Sequence, residues 1–67
     1  MSELDGPVTA DLLTFEETAR ELKIHPATLR RWAALGEGPP FIQIGRQKRC
    51  RKGSLRAWLL SREQQAA

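Results

Sequence analysis

Basic side chains that could bind phosphate are concentrated in two short stretches of this sequence. Arg30 and Arg31 are adjacent in the middle of the chain, and five of the seven residues from 46 to 52 are Lys or Arg. Ammonium and guanidinium groups make charge-assisted hydrogen bonds to phosphate oxygens, and guanidinium also binds the major-groove edge of guanine. The two stretches therefore indicate a polyanionic partner.

The charge of the chain is unevenly distributed. The formal net charge is +3, but residues 1–22 hold six acidic side chains and one basic one, whereas residues 23–62 hold ten basic side chains and one acidic one. A basic field confined to part of a small domain attracts polyanions such as nucleic acid. An acidic protein would satisfy the same field, so charge alone leaves both partners open.

Groups that support catalysis or metal binding are scarce. The 67 residues include one Cys, Cys50, and one His, His25, so the chain can form neither an internal disulfide nor a zinc site built from thiolates. No glycine-rich phosphate loop or pair of catalytic acids is present, and Cys50 is predicted to be a small core residue. We therefore expect no enzyme activity, no cofactor and no metal ion. Apolar runs reach only four residues, so we also expect no contact with a membrane.

The first helix is predicted from its capping pattern. Thr14 and Glu17 fit the capping box, in which each side chain accepts a hydrogen bond from the backbone N–H of the other residue. Phe15, Ala19 and Leu22 follow at helical spacing on one face. The pattern predicts a helix from about Phe15 to Leu22.

A second helix is predicted after a short turn. Pro26 suits the first helical position and Gly36 suits a C-terminal stop, so the helix should extend to about Leu35. At about 100° per residue, Leu29, Trp32 and Ala33 share an apolar face. The opposite face consists of small and basic residues, namely Ala27, Arg30, Arg31 and Ala34.

The turn between these helices contains two unusual residues. Lys23 occupies a position where a left-handed backbone is common, at a cost of about 1–2 kcal/mol for a residue with a side chain. His25 is expected to be the N-cap of the second helix or a neighbour of a DNA phosphate, although imidazole is a poorer cap than Ser, Asp or Asn. We expect both residues to alter the turn only locally.

A β-hairpin is predicted next. Gly38–Pro40 excludes helix, after which Phe41–Ile44 and Arg49–Arg51 predict two strands joined by a loop at Gly45–Lys48. Side-chain alternation predicts that one set of strand residues faces the core and the other faces solvent. The inward set is Ile42, Ile44 and Cys50, and the outward set is Gln43, Arg49 and Arg51.

A third helix is predicted to begin at Gly53-Ser54, with Leu55, Trp58 and Leu59 on its buried side. From Ser61 onward the chain is polar or contains only Ala, and we expect regular structure to end there. The chain is therefore predicted to comprise a flexible lead at residues 1–11, a folded domain at 12–61 and a tail at 62–67.

Five motifs occur in order between residues 12 and 60. They are Leu13–Ala19 at the first helix, Thr28–Trp32 at the second, Gly38–Phe41 and Ile44–Arg46 around the hairpin, and Leu55–Leu59 in the third helix. Together they resemble the excisionase-type, MerR-like winged helix-turn-helix domains. The resemblance implies a small α+β fold that comprises a helix-turn-helix, a two-stranded β wing and a C-terminal helix. In such a fold, the second helix occupies the major groove of DNA and a basic wing can enter the adjacent minor groove.

The resemblance also implies a non-catalytic function in recombination. Phage excisionases, or recombination directionality factors, bind and bend attachment-site DNA cooperatively and direct an integrase toward excision of a prophage or mobile element. We therefore expect three partners, namely double-stranded DNA, an integrase and further copies of this chain on the DNA, in the cytoplasm of a bacterial host cell. A chain with almost nothing beyond such a domain favours this function. A small AlpA-like or MerR-like transcriptional regulator that binds promoter DNA is the alternative.

The candidate DNA contacts follow from these placements. On the recognition helix, which is expected to address the major groove, they are Ala27, Thr28, Arg30 and Arg31. On the wing, which is expected to address the minor groove or its phosphates, and on its flank, they are Arg46, Gln47, Lys48, Arg49, Arg51 and Lys52. Charged side chains on an edge strand also block aggregation, so the wing cations have a second possible function.

Overall fold

Helix α1 (Phe15–Leu22) begins at the predicted capping box and has the predicted bounds. In the computed structural model, which describes residues 8–66, Thr14 Oγ1 accepts a hydrogen bond from Glu17 N at 3.0 Å. In return, Glu17 Oε1 accepts one from Thr14 N at 2.8 Å. The hydroxyl of the fully buried Thr18 donates to Thr14 O at 2.8 Å, so its burial leaves no polar atom unsatisfied.

Helix α2 (Pro26–Ala34) ends one residue before the predicted Leu35, which is its C-cap. Gly36 N donates to Ala33 O at 3.2 Å and Glu37 N donates to Trp32 O at 2.8 Å, which is the Schellman pattern. Gly36 has a φ of 75°, a conformation that glycine adopts without steric cost. The predicted stop signal therefore ends the helix.

Three antiparallel strands form one sheet, where the sequence predicted two. Strands β1 (Leu12–Thr14), β2 (Ile42–Ile44) and β3 (Gln47–Arg51) are arranged in the order β1-β3-β2. The additional strand, β1, pairs with β3 so that Leu13 lies opposite Cys50. A 3-10 helix (Val8–Asp11) precedes β1. The rest of the predicted flexible lead, residues 1–7, lies outside the described residues, as does Ala67 of the predicted tail.

The turn between β2 and β3 is shorter than predicted. Ile44 pairs with Gln47, so the loop contains two residues, Gly45 and Arg46, instead of four. Gly45 has a φ of 60°, and a glycine at the first central position is typical of a type II′ hairpin turn. Gln47 and Lys48, which were expected in the loop, are therefore strand residues.

The predicted inward orientation of Ile42 and Ile44 is wrong. Their side chains are 42% and 47% exposed, because Ile42 lies opposite Arg49, on the sheet face that points away from Cys50. Gln43 lies opposite Lys48, and alternation along β3 puts Lys48 on the same face as Cys50. Gln43 is exposed as predicted, but it belongs to the sheet face that carries the core.

The main hydrophobic core lies between the sheet and the helices. Its buried residues are Leu13, Cys50 and Leu55, and the side chains packed against them are Leu22, Phe41 and Trp58. Leu29 is also fully buried and anchors α2. The chain is thus an α+β structure with a helix-turn-helix, a hairpin and a C-terminal helix, which confirms the predicted fold class.

Helix α3 (Lys52–Ala66) is longer and more exposed than predicted. It begins directly after β3 and continues to Ala66, so the prediction that regular structure ends at Ser61 is wrong. Leu59, which was predicted to be buried, is 44% exposed.

Within residues 8–66, no helix combines the length and the apolar character that crossing a membrane requires.

Candidate nucleic-acid interface

Helix α2 presents its small and basic face to solvent. Ala27, Arg30, Arg31 and Ala34 are exposed, whereas Leu29 is fully buried and Trp32 is half-buried. This orientation confirms the two faces that were predicted from the helical period. The nine residues of α2 span about 13 Å, and a helix diameter of about 10–12 Å fits a major groove about 12 Å wide.

The turn before α2 holds it at a fixed position against α1. Lys23 has a φ of 59°, which confirms the predicted left-handed backbone. Lys23 N donates to Arg20 O and Ile24 N donates to Ala19 O, both at 3.0 Å. Ala19 is only 1% exposed, so the small side chain lies where the two helices pack closely. These contacts determine the direction in which α2 leaves the turn.

The first turn of α2 is capped by an imidazole. His25 Nδ1 accepts a hydrogen bond from Ala27 N at 3.0 Å, and Pro26 occupies the first helical position. The cap satisfies a backbone donor that the helix itself cannot pair. The structure therefore confirms that His25 is an N-cap.

A cleft separates α2 from the hairpin, and three of the predicted basic residues line it. Arg30 projects from α2, Arg46 from the turn between β2 and β3, and Lys48 from β3. We call this the cationic cleft. Its other lining residues are Phe15, Glu16, Ala33, Ala34 and Gln43. Residues that are far apart in the sequence thus form one surface between the helix and the hairpin.

The cationic cleft carries net positive charge. Among its lining residues Glu16 is the one acidic side chain, against the three cations Arg30, Arg46 and Lys48. Within residues 8–66, the one salt bridge joins Arg51 Nε to Asp11 Oδ2 at 3.5 Å, so no carboxylate of this range forms an ion pair with the cleft cations. An excess of cations beside a helix that fits the major groove suits contact with a phosphate backbone.

The comparison with protein families agrees with this geometry. Residues 12–63 match the sequence model of a family described as a helix-turn-helix domain. The chain belongs to this family. Membership indicates that the helix-turn-helix domain binds DNA, and members are typically not enzymes. No match was found among curated proteins or among solved structures.

An aromatic residue of this helix-turn-helix domain contacts one of the cleft cations. The guanidinium carbon of Arg30 lies 5.9 Å from the centroid of the Phe15 ring, and Phe15 stacks on Phe41 with centroids 5.2 Å apart. From the sequence, Phe15 was predicted only to lie on the packed face of α1. Gln43, which lines the cleft opposite Lys48 in the hairpin, was not predicted as a site residue. The position of Gln43 follows from the two-residue turn, which a Gly-X hairpin pattern could have indicated.

The other predicted contact residues lie outside the cationic cleft. On α2, Ala27 and Arg31 are exposed and Thr28 is half-buried. On the hairpin, alternation from Lys48 puts Gln47 and Arg49 on the opposite face of the sheet. Their contact with DNA, and that of the cleft residues, stays a prediction.

The two flanking cations have other neighbours in this helix-turn-helix domain. Arg51 is paired with Asp11 on the face of the sheet that points away from the core. Lys52 lines a separate depression between α1 and α3, together with Glu21 and Arg56. The structure therefore brings Arg30, Arg46 and Lys48 together, and it brings neither Arg51 nor Lys52 to them.

Cys50 lies in the core, as predicted. It is fully buried, and this burial raises the pKa of its thiol, although a hydrogen bond with Thr18 acts in the opposite direction. A neutral, buried thiol is a poor nucleophile. Within the described part of the chain, no group of three or more His, Cys, Asp or Glu residues is placed to hold a metal ion.

Proposed function

We propose that this helix-turn-helix protein is an excisionase-type architectural protein, which bends attachment-site DNA and directs an integrase toward excision. The cationic cleft is the observation that carries the DNA-binding part of this proposal, because it joins α2 and the hairpin in one basic surface. The order of motifs from Leu13 to Leu59, which resembles the excisionase-type domains, supports the recombination role.

The proposed binding mode assigns the two elements to neighbouring grooves. The exposed face of α2, with Arg30 and Arg31, lies in the major groove, where guanidinium groups bind guanine edges and the phosphates beside them. The hairpin, with Arg46 at its turn, lies along the adjacent phosphates and minor groove. Small side chains at Ala27 and Ala34 leave room for close approach of α2 to the bases.

Bending requires more than one copy of this protein. The long dimension of the molecule is 38 Å, which is about the length of one helical turn of DNA. Bending a site of about 20–30 base pairs costs on the order of 1–6 kcal/mol, and a single module buries only about 600–1,000 Å² on DNA. Several copies on neighbouring sites would share this cost. We therefore propose cooperative loading on DNA, together with contact between the assembled copies and an integrase.

A bending assay tests the architectural role. Fluorescence energy transfer between the ends of a DNA fragment of about 30 base pairs should rise cooperatively as protein is added to a fragment with repeated attachment sites. A fragment of equal length and composition but scrambled sequence is the control. If the protein binds a promoter fragment tightly and no attachment fragment shows a rise in energy transfer, the protein is a transcriptional regulator instead.

An excision assay tests the partner. With the cognate integrase, the protein should convert an attachment-site substrate to excised product, and integrase alone should not. Sedimentation without DNA should show mainly monomer, because cooperative loading is proposed to depend on neighbouring DNA sites. A stable dimer without DNA would contradict the proposed assembly.

A further inference from the structure

The side chain of Arg30 is held at one particular place on α2. Its guanidinium carbon lies 5.9 Å from the centroid of the Phe15 ring, within the range of a cation–π contact. Phe15 is half-buried, whereas Arg30 is exposed, so the aromatic ring supports a charged side chain that otherwise extends into solvent. The contact directs Arg30 toward the hairpin side of α2, where both residues line the cationic cleft.

The Phe15 ring is itself held by a second ring. Phe15 and Phe41 stack with centroids 5.2 Å apart and an interplanar angle of 30°. Phe15 is the first residue of α1, and Phe41 directly precedes β2. The pair therefore connects the start of α1 to the start of the hairpin, so the ring under Arg30 is fixed relative to the strands that carry Arg46 and Lys48.

We propose that Phe15 is a positioning residue for DNA binding, which holds the guanidinium of Arg30 beside Arg46 and Lys48 so that all three contact the same stretch of DNA. The proposal rests on the proposed DNA-binding function of the cleft. A side chain that is already oriented loses less conformational freedom when it binds. Removal of the ring should therefore weaken DNA binding through Arg30, although Phe15 itself touches no phosphate.

Arg31 provides an internal control for this argument. It is adjacent to Arg30 but lies about 100° away around the helix, and it is not among the residues that line the cationic cleft. Both arginines are exposed and carry the same charge. The effect of Phe15 should therefore depend on Arg30 and not on Arg31.

A double-mutant cycle tests the proposal. Dissociation constants for one duplex at fixed salt are measured for the wild-type protein, Phe15→Leu, Arg30→Ala and the double variant. An exposed cation–π contact is worth about 2–5-fold in an equilibrium constant, and the gain from preorganisation cannot exceed the energy of the contact, so Phe15→Leu should weaken binding measurably, by at most about that factor. Phe15→Leu should cause no further loss of affinity in the Arg30→Ala background, and it should keep its full effect in the Arg31→Ala background. Phe15→Tyr, which retains the aromatic ring, should bind like the wild type.

Spectroscopy of the free protein separates positioning from folding. The δ protons of Arg30 should show an aromatic ring-current shift, which Phe15→Leu abolishes and Phe15→Tyr retains. Circular dichroism establishes that each variant is folded at the assay temperature, and Phe15→Met replaces Phe15→Leu if the latter is unfolded.

Three results would overturn the proposal in distinguishable ways. If Phe15→Leu and Arg30→Ala are additive, Phe15 affects binding through the fold and not through Arg30. If Arg30→Ala binds DNA like the wild type, Arg30 is outside the interface, and the positioning role is wrong while DNA binding by the protein stands. If the wild-type protein retains no duplex at low salt, the proposed function fails together with the positioning role.

Discussion

Replacement of Lys23 by Gly should stabilise the protein. Lys23 has a φ of 59° in the turn between α1 and α2, and this left-handed conformation costs about 1–2 kcal/mol for a residue with a Cβ atom. Gly removes that strain, but its greater freedom in the unfolded chain returns about 0.4–1 kcal/mol. The net gain is about 0.5–1 kcal/mol, which corresponds to a rise in Tm of about 2–8 °C for a domain of this size.

Thermal denaturation followed by far-UV circular dichroism measures this effect. Lys23→Ala is the matched control, because it removes the charge and the long exposed side chain but keeps the Cβ atom. Its Tm should stay near that of the wild type. If Lys23→Gly lowers the Tm, or if Lys23→Ala raises it as much as Lys23→Gly does, the backbone of the turn is not strained as described.

Three further predictions concern the helices and the core. His25→Ala should lower the free energy of unfolding, measured in urea, by about 0.5–2 kcal/mol, because Ala27 N loses its hydrogen-bond acceptor. His25→Ser, which keeps an acceptor at the cap, should preserve stability. Equal losses in both variants would contradict the capping role. Trp58→Ala should cost about 2 kcal/mol, less than the roughly 3–5 kcal/mol of a fully buried Trp, because the ring is half-buried beside Trp32, 6.1 Å away. A folded Trp58→Ala variant of normal stability that had lost DNA affinity would put Trp58 in the interface instead. Cys50 is fully buried, and burial raises the pKa of its thiol. A disulfide reagent at pH 8 should therefore label the native protein far more slowly than the urea-unfolded chain. Equal labelling rates would show that the thiol is accessible in the native protein.

The helix-turn-helix could be predicted well because its signals are local. The capping box at Thr14 and Glu17 fixes the start of α1, and Pro26 and Gly36 mark the limits of α2. The buried Leu29 and the exposed Arg30 follow from the helical period alone. These residues place the recognition helix without any information about distant contacts.

The sheet could be predicted only in part because its register depends on distant residues. The three residues of β1 are too few to show alternation, and their partner strand is far away in the sequence. The hydrophobic character of Ile42 and Ile44 indicated burial, but the two-residue turn pairs them with Arg49 and Gln47 on the outer face. The predicted faces of β2 were therefore reversed because they were assigned from hydrophobic character and not from the pairing with β3.

The end of α3 shows that helix formation does not require burial. Residues 62–66 are Arg, Glu, Gln, Gln and Ala, all with high helix propensity, but their lack of apolar periodicity led to a prediction of irregular structure. Arg62 also lies over the Trp58 ring at 5.6 Å, a contact one turn back along the helix that adds local support. The contact between Phe15 and Arg30 was not predictable, because it depends on the angle between α1 and α2.

The salt dependence of duplex binding tests most directly whether α2 and the hairpin together contact the DNA backbone. Five cations on these elements, Arg30, Arg31, Arg46, Lys48 and Arg49, would neutralise about five phosphates, so the logarithm of the association constant should fall against the logarithm of salt concentration with a slope near −4.5. Lys48→Ala should make the slope shallower by about 1, whereas Arg56→Ala, on α3 in the separate depression with Lys52, should leave it unchanged. A slope near zero, or an equal change in both variants, would contradict this interface.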